Sequence, residues 1–370
     1  MTILCKQMKT VDGHLIDVEI DHGMITRIDD DIPVSDQEVI YGNQKTYISS
    51  GWIDIHTHCF DKYQLYGDKI DDVGYPNGVT TVVDAGTCGA DTLPEFVEQI
   101  KRAKTNTYAF LNIASCGICQ QNELSDLSHL EQANIMKAFQ SYPDVLIGLK
   151  ARMSASVLGD SGNIPLQFAI DTADKLQVPV MVHIGTSPAD LADVMQLART
   201  GDIITHIFNP KENGILDMNG NLKPFVKDAQ QRGIYFDVGH GTDSFSFHVC
   251  EQARAQGVIC DSISTDIYFR NRQQGPVFDM ATTMNKLYHC GYSLQEIIDR
   301  VTHIPAEMMH KPKLAGLQVG NCGDITLFEI VEENVTMMDS TKQTRVQHEC
   351  IRPVGVILHQ EYIPCGKDEA

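Results

Sequence analysis

The sequence predicts an α/β protein in which a (β/α)8, TIM-like barrel carries a small β-sandwich domain formed from both chain termini. Between residues 51 and 268, eight short apolar segments rich in β-branched residues alternate with helical patterns. Such near-continuous apolar character is typical of parallel strands buried on both faces. Outside this region the chain consists of short alternating runs separated by tight turns, such as HLIDVEI, GMITRIDD and DITLFEIV. Because chain termini often lie close together, we predict that residues 1–49 and 318–370 form the small domain and that residues 50–317 form the barrel.

The predicted barrel strands leave room for helices between them. Four of the intervening stretches open on Asp or Ser, which suits a helix N-cap: DTLPEFVEQIKRAK, DLSHLEQANIMKAFQ, SPADLADVMQLART and DSFSFHVCEQARAQG. A count of only six or seven strands would instead leave an open doubly wound sheet, but no glycine-rich dinucleotide fingerprint follows the first strand. The predicted strands are residues 51–58, 80–87, 108–115, 145–153, 178–185, 202–208, 233–241 and 261–268.

Charge and cysteine content narrow the class of partner and the compartment. The formal net charge is −20, from 49 acidic and 29 basic residues, so phosphate backbones and anionic membranes are repelled and neither nucleic acid nor membrane is expected as a partner. The N-terminus has no signal-peptide pattern, and no stretch approaches the roughly 18–20 apolar residues of a membrane helix. Eleven cysteines, an odd number without framework spacing, predict reduced thiols in the cytoplasm. The single CxxC, Cys116 to Cys119, is interpreted as structural or incidental.

Polar side chains that suit a metal stand near the same end of five predicted strands. A lone histidine at a strand end is more often a satisfied polar group, but several inward-facing polar residues are costly unless they pair or bind a metal. Side chains alternate along a strand, so His56 and His58 in GWIDIHTHCF lie on one side. The carboxyl ends of barrel strands build the active site. The set is His56 and His58 on the first strand, Lys150 on the fourth, His183 on the fifth, His206 on the sixth and Asp266 on the eighth.

This ordered set resembles the metal-dependent amidohydrolase superfamily, and the resemblance covers nearly the whole chain. TxxPAEM from Thr302 to Met308 and the run LAGLQVGNCGDITLF look like that family's closing helix and its return into the small domain. The family's more usual Pro-Gly before the histidines is Ser50-Gly51 here. More narrowly, IGLKARMS, MVHIG, DVGHGTDSF and SISTDIYFRN resemble a subgroup of dihydroorotase-like, adenine-deaminase-like and deacetylase metallohydrolases.

The resemblance implies a binuclear site with two divalent metal ions, most simply Zn²⁺, which neutral imidazoles suit. His56, His58 and Asp266 would hold one ion and His183 and His206 the other. Lys150 would join them as N6-carboxylysine, because the charged amine is disfavoured between two cations and the neutral amine can take up carbon dioxide. A metal-bridging hydroxide would then attack a carbonyl, with Asp266 acting first as base and then as acid.

The substrate is narrowed by Phe60, which stands where dihydroorotases often carry an arginine for the substrate carboxylate. Arg152, His240 and Arg270 are candidate substrate contacts, since a guanidinium matches a carboxylate in two hydrogen bonds. The favoured reaction is hydrolysis of an acyl group, most simply acetyl, from the amide or ester of a small carboxylate-bearing substrate. The alternatives are a cyclic amidohydrolase of the dihydroorotase or hydantoinase kind, an adenine deaminase, or, outside enzymes, a metal-free scaffold. Barrels of this kind usually pair, so a homo-oligomer is expected.

Overall fold

Five short strands open the chain in the computed structural model, which describes residues 2–63 and 65–366. Strands β1 and β2 form an antiparallel hairpin around the Asp12-Gly13 turn, and β2 continues into β3 through His22-Gly23. Apolar residues facing one side of these strands, among them Ile3, Cys5 and Val18, are fully buried. The five strands are β1 (Ile3–Lys9), β2 (Leu15–Asp21), β3 (Met24–Asp29), β4 (Glu38–Tyr41) and β5 (Tyr47–Ser50).

Seven parallel strands follow and curl into the barrel. Their order in the sheet is their order in the chain, with each strand hydrogen-bonded to the next. Every residue of the first, second and fourth of these strands is buried, as expected for a parallel sheet covered on both faces. The strands are β6 (Trp52–Thr57), β7 (Val79–Ala85), β8 (Asn106–Asn112), β9 (Leu146–Met153), β10 (Val180–Ile184), β11 (Ile203–Thr205) and β12 (Tyr235–Asp237).

The eighth predicted strand, residues 261–268, closes the barrel without forming a regular strand. Parallel bridges join Asp237 to Ser262 on one side and Thr57 to Ile267 on the other. The backbone N–H of Asp266 donates to the carbonyl of His56 at 2.7 Å. Hydroxyl and backbone groups of this segment bond to buried carboxylates, and such side-chain bonds compete with a regular ladder. The position predicted for this segment is therefore correct, but side-chain hydrogen bonds hold it in the barrel in place of a regular strand ladder.

Helices cover the outside of the barrel. In α5, residues three and four apart, Leu166, Ala169, Ile170 and Ala173, are buried as one face. Within the described residues, no helix is long and apolar enough to cross a membrane. The helices are α1 (Ile70–Val73), α2 (Leu93–Ile100), α3 (Gln132–Ser141), α4 (Ala155–Leu158), α5 (Ile164–Leu176), α6 (Leu191–Leu197), α7 (Pro224–Gln231), α8 (Phe247–Ala255), α9 (Phe269–Gln274), α10 (Met280–His289), α11 (Leu294–Val301) and α12 (His303–Met308).

The chain then returns to the first sheet through β13 (Ile325–Met338), β14 (Thr344–Leu358) and β15 (Glu361–Pro364). Strand β13 pairs antiparallel with β5, so strands from both ends of the chain form one eight-stranded, sandwich-like sheet. A separate apolar core of isoleucines, Cys5, Met8, Val18 and Leu327 fills this sheet.

The cysteines depart from expectation at one pair. Cys116 and Cys119 form a disulfide, whereas all eleven had been expected as reduced thiols. The other nine are free and most of them are buried. The CxxC spacing brings the two sulfurs into bonding reach within one turn of chain, which explains why this pair alone is joined.

Candidate metal centre

The two histidines at the end of β6 lie against Asp266, which belongs to the eighth barrel segment. His58 Nε2 is 3.0 Å from Asp266 Oδ1, and His56 Nε2 is 3.4 Å from the same oxygen. One ligand atom from each of the three residues lies within 4.8 Å of the other two. The HxH spacing and the closure of the barrel by residues 261–268 together produce this group.

Lys150 and the other two predicted histidines complete the cluster. Lys150 Nζ lies 3.1 Å from His56 Nε2 on the floor of the barrel. His206 Nε2 lies 2.7 Å from His183 Nδ1, and the His56 and His206 rings are 5.2 Å apart between centroids. The structure therefore brings all six predicted ligands into one contiguous cluster.

Burial sets the protonation of this cluster. It lowers the pKa of His56 to about 4 and that of His206 to about 3, so both imidazoles are neutral at pH 7. Burial also lowers the pKa of Lys150 to about 7. For Asp266 burial acts to raise the pKa, but the surrounding imidazoles outweigh it and hold that pKa well below its usual range. The result is an ionised carboxylate facing neutral imidazole nitrogens, which is the protonation state that metal ligands need.

Two of the predicted ligands have unusual backbone conformations. His206 has φ +70° and Asp266 has φ +50°, both in the left-handed region that non-glycine residues rarely occupy. Such conformations persist only where the surroundings impose them, and they concentrate at functional sites. In this structure the two residues lie at the end of β11 and in the eighth barrel segment, and both side chains belong to the ligand cluster.

Gly86, after β7, makes room for Lys150. A Cβ on this glycine would lie 2.6 Å from Lys150 Cβ and 2.7 Å from its Cγ. Its φ of +82° is also one that glycine adopts without strain. Only glycine at this position lets the lysine stem reach the centre of the barrel.

A cavity of about 150 Å³ opens above the cluster. Three side chains in its wall were not predicted from the sequence: Lys211, Tyr66 and Tyr268. Lys211, mostly buried, brings a cation whose pKa burial lowers, and the Tyr66 and Tyr268 rings meet edge to face at 5.1 Å. Tyr268 lies two residues after Asp266, a spacing that could have revealed it; Lys211 and Tyr66 lie in loops without such a signal. The walls are His58, Tyr66, Ile118, Gln121, Arg152, Ser154, Ser156, His183, Lys211, Thr242, Asp243, Ser244, Asp266 and Tyr268.

Of the three predicted substrate contacts, Arg152 lines the cavity, whereas His240 and Arg270 do not. Arg152 lines the cavity while its Nη1 holds both oxygens of the buried Glu123 at 2.9 Å. Two others do not line the cavity: His240 is fully buried, with Nδ1 2.8 Å from Gly241 O and Nε2 2.8 Å from Lys286 Nζ, and Arg270 is exposed at the start of α9. Both ring nitrogens of His240 are therefore already engaged by protein groups.

Phe60 belongs to the core and not to the cavity. It is fully buried, and its ring lies 5.0 Å from that of Phe96 between centroids. Phe60 therefore brings no cation to the cavity, and the arginine that dihydroorotases often carry at this position has no equivalent here.

Comparisons with known proteins agree with this geometry. A deacetylase from Enterococcus faecalis is 46% identical over 358 residues, which cover 96% of this chain and 97% of the relative. The chain belongs to the deacetylase-like family of the amidohydrolase superfamily. A family profile described as a deacetylase-like composite domain matches residues 317–359, at the return into the first sheet.

Two solved structures of similar fold carry different enzyme names. A structure described as an adenine deaminase superposes with a TM-score of 0.96 at 45% identity, covering 98% of this chain and 99% of the other. One described as a dihydroorotase superposes with a TM-score of 0.92 at 30% identity, covering 99% of both chains. The fold predicted from the sequence is thus confirmed.

The residues of this amidohydrolase fit a metal cofactor. Nε2 of His56, Nε2 of His58 and an ionised oxygen of Asp266 converge, and burial, which lowers the pKa of His56 to about 4, keeps the His56 imidazole neutral at pH 7. His206 Nδ1 lies 2.6 Å from the Gly239 carbonyl, which accepts its proton and leaves Nε2 as an acceptor directed at the cluster. Imidazole and carboxylate donors of this kind suit a divalent ion.

Proposed function

We propose that this protein is a metal-dependent hydrolase that removes an acyl group, most simply acetyl, from a small carboxylate-bearing amide or ester. The supporting observation is the Asp266 carboxylate, which lies 3.0 Å from His58 Nε2 and lines the cavity beside two cations, Arg152 and Lys211. The name of the Enterococcus faecalis relative, a deacetylase at 46% identity, supports the choice of acyl group.

The proposed cofactor is a pair of divalent ions, most simply Zn²⁺. His56, His58 and Asp266 would hold one, and His183 and His206 the other. When bound, such ions lower the pKa of water and polarise the scissile carbonyl. Asp266 takes the proton of the attacking water on its carboxylate and delivers it to the leaving nitrogen or oxygen.

Lys150 is proposed to be N6-carboxylysine. Burial lowers its pKa to about 7, so a large fraction of the amine is neutral near neutral pH. The neutral amine adds carbon dioxide to form a carbamate and releases one proton. The carbamate would supply a two-oxygen anion among the neutral imidazoles of His56 and His206. Mass spectrometry under non-denaturing conditions tests for the added carbon dioxide, which acid releases.

The carboxylate of the substrate is proposed to bind at the cationic side of the cavity. Arg152 is held there by Glu123, and its guanidinium lies 5.4 Å from the centre of the Tyr66 ring. Lys211 is the second cation in the wall. A guanidinium and an ammonium that line one cavity can each donate to one oxygen of the same carboxylate.

A substrate screen tests the reaction. Zinc-loaded protein is assayed against N-acetyl and O-acetyl derivatives of amino and hydroxy acids of both hands, alongside dihydroorotate, hydantoins and adenine. Release of acetate with a chiral preference supports the proposal. Ammonia release from adenine would replace it with the second candidate, which the 45% identity to a structure described as an adenine deaminase favours. Dihydroorotate or hydantoin opening would indicate a cyclic amidohydrolase.

Asp266→Asn tests the assigned chemistry. Turnover should fall by a factor of about 10² or more, the usual contribution of a general acid–base group, while metal content falls far less. Near-full activity in this variant would exclude the role of Asp266.

A metal assay separates the enzyme from a metal-free scaffold. Freshly purified protein should contain close to two ions per chain; a metal-free, monodisperse oligomer would favour the scaffold. Light scattering on the same sample tests the proposed homo-oligomer. The nine free cysteines support the proposed cytoplasmic location, because reduced thiols persist there.

A further inference from the structure

Behind His56 lies a chain of two buried hydrogen bonds that runs through β11 to β12. His56 Nδ1 is 2.8 Å from the Thr205 hydroxyl oxygen, and this hydroxyl donates its proton to Asp237 at 2.7 Å. A hydroxyl has one proton, so Thr205 can only accept from His56. The ring therefore carries its proton on Nδ1, and its Nε2 lone pair faces Lys150 Nζ at 3.1 Å.

His58 is also in contact with a threonine hydroxyl. His58 Nδ1 is 2.7 Å from the Thr87 hydroxyl oxygen. The Thr87 N–H donates to the Asp84 carboxylate at 2.7 Å, and Asp84 is also fixed by the N–H of Cys59, at 3.0 Å. His58 Nε2 lies 3.0 Å from the Asp266 carboxylate, a contact that favours a proton on Nε2 of His58, in contrast to His56.

The threonines and aspartates behind both histidines are inaccessible to water. Thr205, Asp237, Thr87 and Asp84 each have 0% of their surface exposed. A water molecule therefore cannot replace a missing hydroxyl without opening the barrel. Gly239 adds to this packing, because a Cβ there would lie 2.1 Å from the Thr205 hydroxyl oxygen.

We propose that Thr205 and Asp237 are positioning residues that fix the His56 imidazole in the Nδ1–H tautomer and keep its Nε2 lone pair directed at the ligand cluster. A direct carboxylate contact would place a full negative charge on the ring. An intervening hydroxyl passes on the orientation, while Asp237 stays 3.6 Å from His56 Nδ1. Groups that orient metal ligands in this way set ligand basicity and metal affinity.

The first test needs no variant and no metal. In metal-free wild-type protein labelled with ¹⁵N at histidine, long-range proton–nitrogen spectra distinguish the two tautomers. His56, assigned by a His56→Asn substitution, should show the proton on Nδ1. A proton on Nε2 of His56 would overturn the proposal. This inference rests on the proposed function for its purpose, but the measurement is independent of catalysis, so absence of hydrolysis and absence of the tautomer are distinguishable failures.

The second test removes the Thr205 hydroxyl without changing the side-chain shape. Thr205→Val replaces the hydroxyl by a methyl group, and Thr205→Ser restores it as the matched control. Zinc affinity, measured by competition with a chromogenic chelator, should fall by about 10–100-fold in the valine variant and recover in the serine variant. Unchanged affinity in the folded valine variant, or an equal loss in the serine variant, would overturn the proposal. Should the valine variant fail to fold, the tautomer of His56 in the wild-type protein still decides.

Discussion

At the scale of single residues, the candidate centre depends on Gly86, where a side chain would clash with the stem of Lys150. Gly86→Ala would put a Cβ 2.6 Å from Lys150 Cβ. We expect turnover and zinc content to fall by about 10-fold or more, because the lysine stem must move. Gly201→Ala is the matched control, since Gly201 has a similar φ of +88° but nothing within 4 Å of its Cβ position. Equal losses in both variants would attribute the effect to backbone strain and not to Lys150.

Lys286 gives a residue-scale prediction about pH. Burial lowers its pKa in the folded protein to about 7, near His240 and under the weaker opposing pull of Asp279 and Asp339. The unfolded chain, with a lysine pKa of about 10.4, binds more protons between these values. The buried Lys286 therefore lowers the free energy of unfolding most below about pH 7. This loss shrinks as pH rises, so the free energy of unfolding increases by at most ~1.4 kcal/mol per pH unit.

The measurement compares wild type with Lys286→Met. Free energies of unfolding from urea titrations at about pH 6.5 and about pH 8.5 should show wild type gaining on the variant as pH rises. Buried cysteines are common to both proteins, so their contribution cancels in the difference. A difference that does not change with pH would contradict the assignment.

The six proposed ligands could be named from the sequence because each stands at a predicted strand end and has a metal-binding chemistry. Thr205, Thr87 and Asp237 could not, because a threonine or aspartate in a strand is an ordinary residue until its partner across the sheet is known. Lys211 was missed for the same reason, as loop positions follow no period. His240 was predicted as a substrate contact because the sequence does not show that Lys286 Nζ lies 2.8 Å from its Nε2.

At the scale of elements, the alternation of apolar segments and helical patterns predicted where each barrel strand lies, with ends differing by a few residues. It did not predict that residues 261–268 close the ring by anchoring side chains. The reason is physical: hydroxyls of Ser262 and Ser264 bond to Asp237, and this three-dimensional arrangement leaves no periodic signal. The irregular geometry is also what lets Asp266 adopt φ +50° and face the cavity.

The β13–β14 hairpin gives the element-scale prediction. Its buried Asp339 accepts from the N–H of Phe247, at the start of α8, at 3.0 Å, and from Thr341 and Gln343 within the turn. The loop before α8 contributes Thr242 to Ser244 to the cavity wall. Asp339→Ala should lower the free energy of unfolding by about 1–3 kcal/mol, because the buried Phe247 N–H and the donors of the turn lose their acceptor. The loosened loop should also raise KM in the deacetylase assay.

Thr341→Val is the control for that prediction. It removes one hydroxyl bond inside the turn and leaves the Asp339 contact with Phe247 intact. It should change stability less and leave KM unchanged. An equal rise of KM in both variants would show that the hairpin tip, and not its contact with α8, controls the cavity wall.

At the scale of the whole molecule, a buried joint around Thr326 and Trp52 connects the barrel to the eight-stranded sheet. Thr326 on β13 accepts from the Trp52 N–H at 3.0 Å and donates to the Gly78 carbonyl at 2.8 Å. The Trp52 ring is fully buried, 5.6 Å from that of Phe328, and it is the single tryptophan of the chain. Its fluorescence therefore reports on the joint, while far-UV circular dichroism reports on the helices around the barrel.

Because the chain crosses this joint in both directions, we predict that the barrel and the sheet unfold together. Tryptophan emission and circular dichroism should give coincident urea transitions, the mark of one cooperative unit. Thr326→Val should shift both by the same amount, about 1–3 kcal/mol, since it leaves the buried Trp52 N–H and Gly78 carbonyl without a partner. Thr336→Val, at an exposed position of the same strand, should shift neither. Tryptophan emission that changes at lower urea than the circular dichroism would mean that the sheet separates first and that the barrel is stable alone.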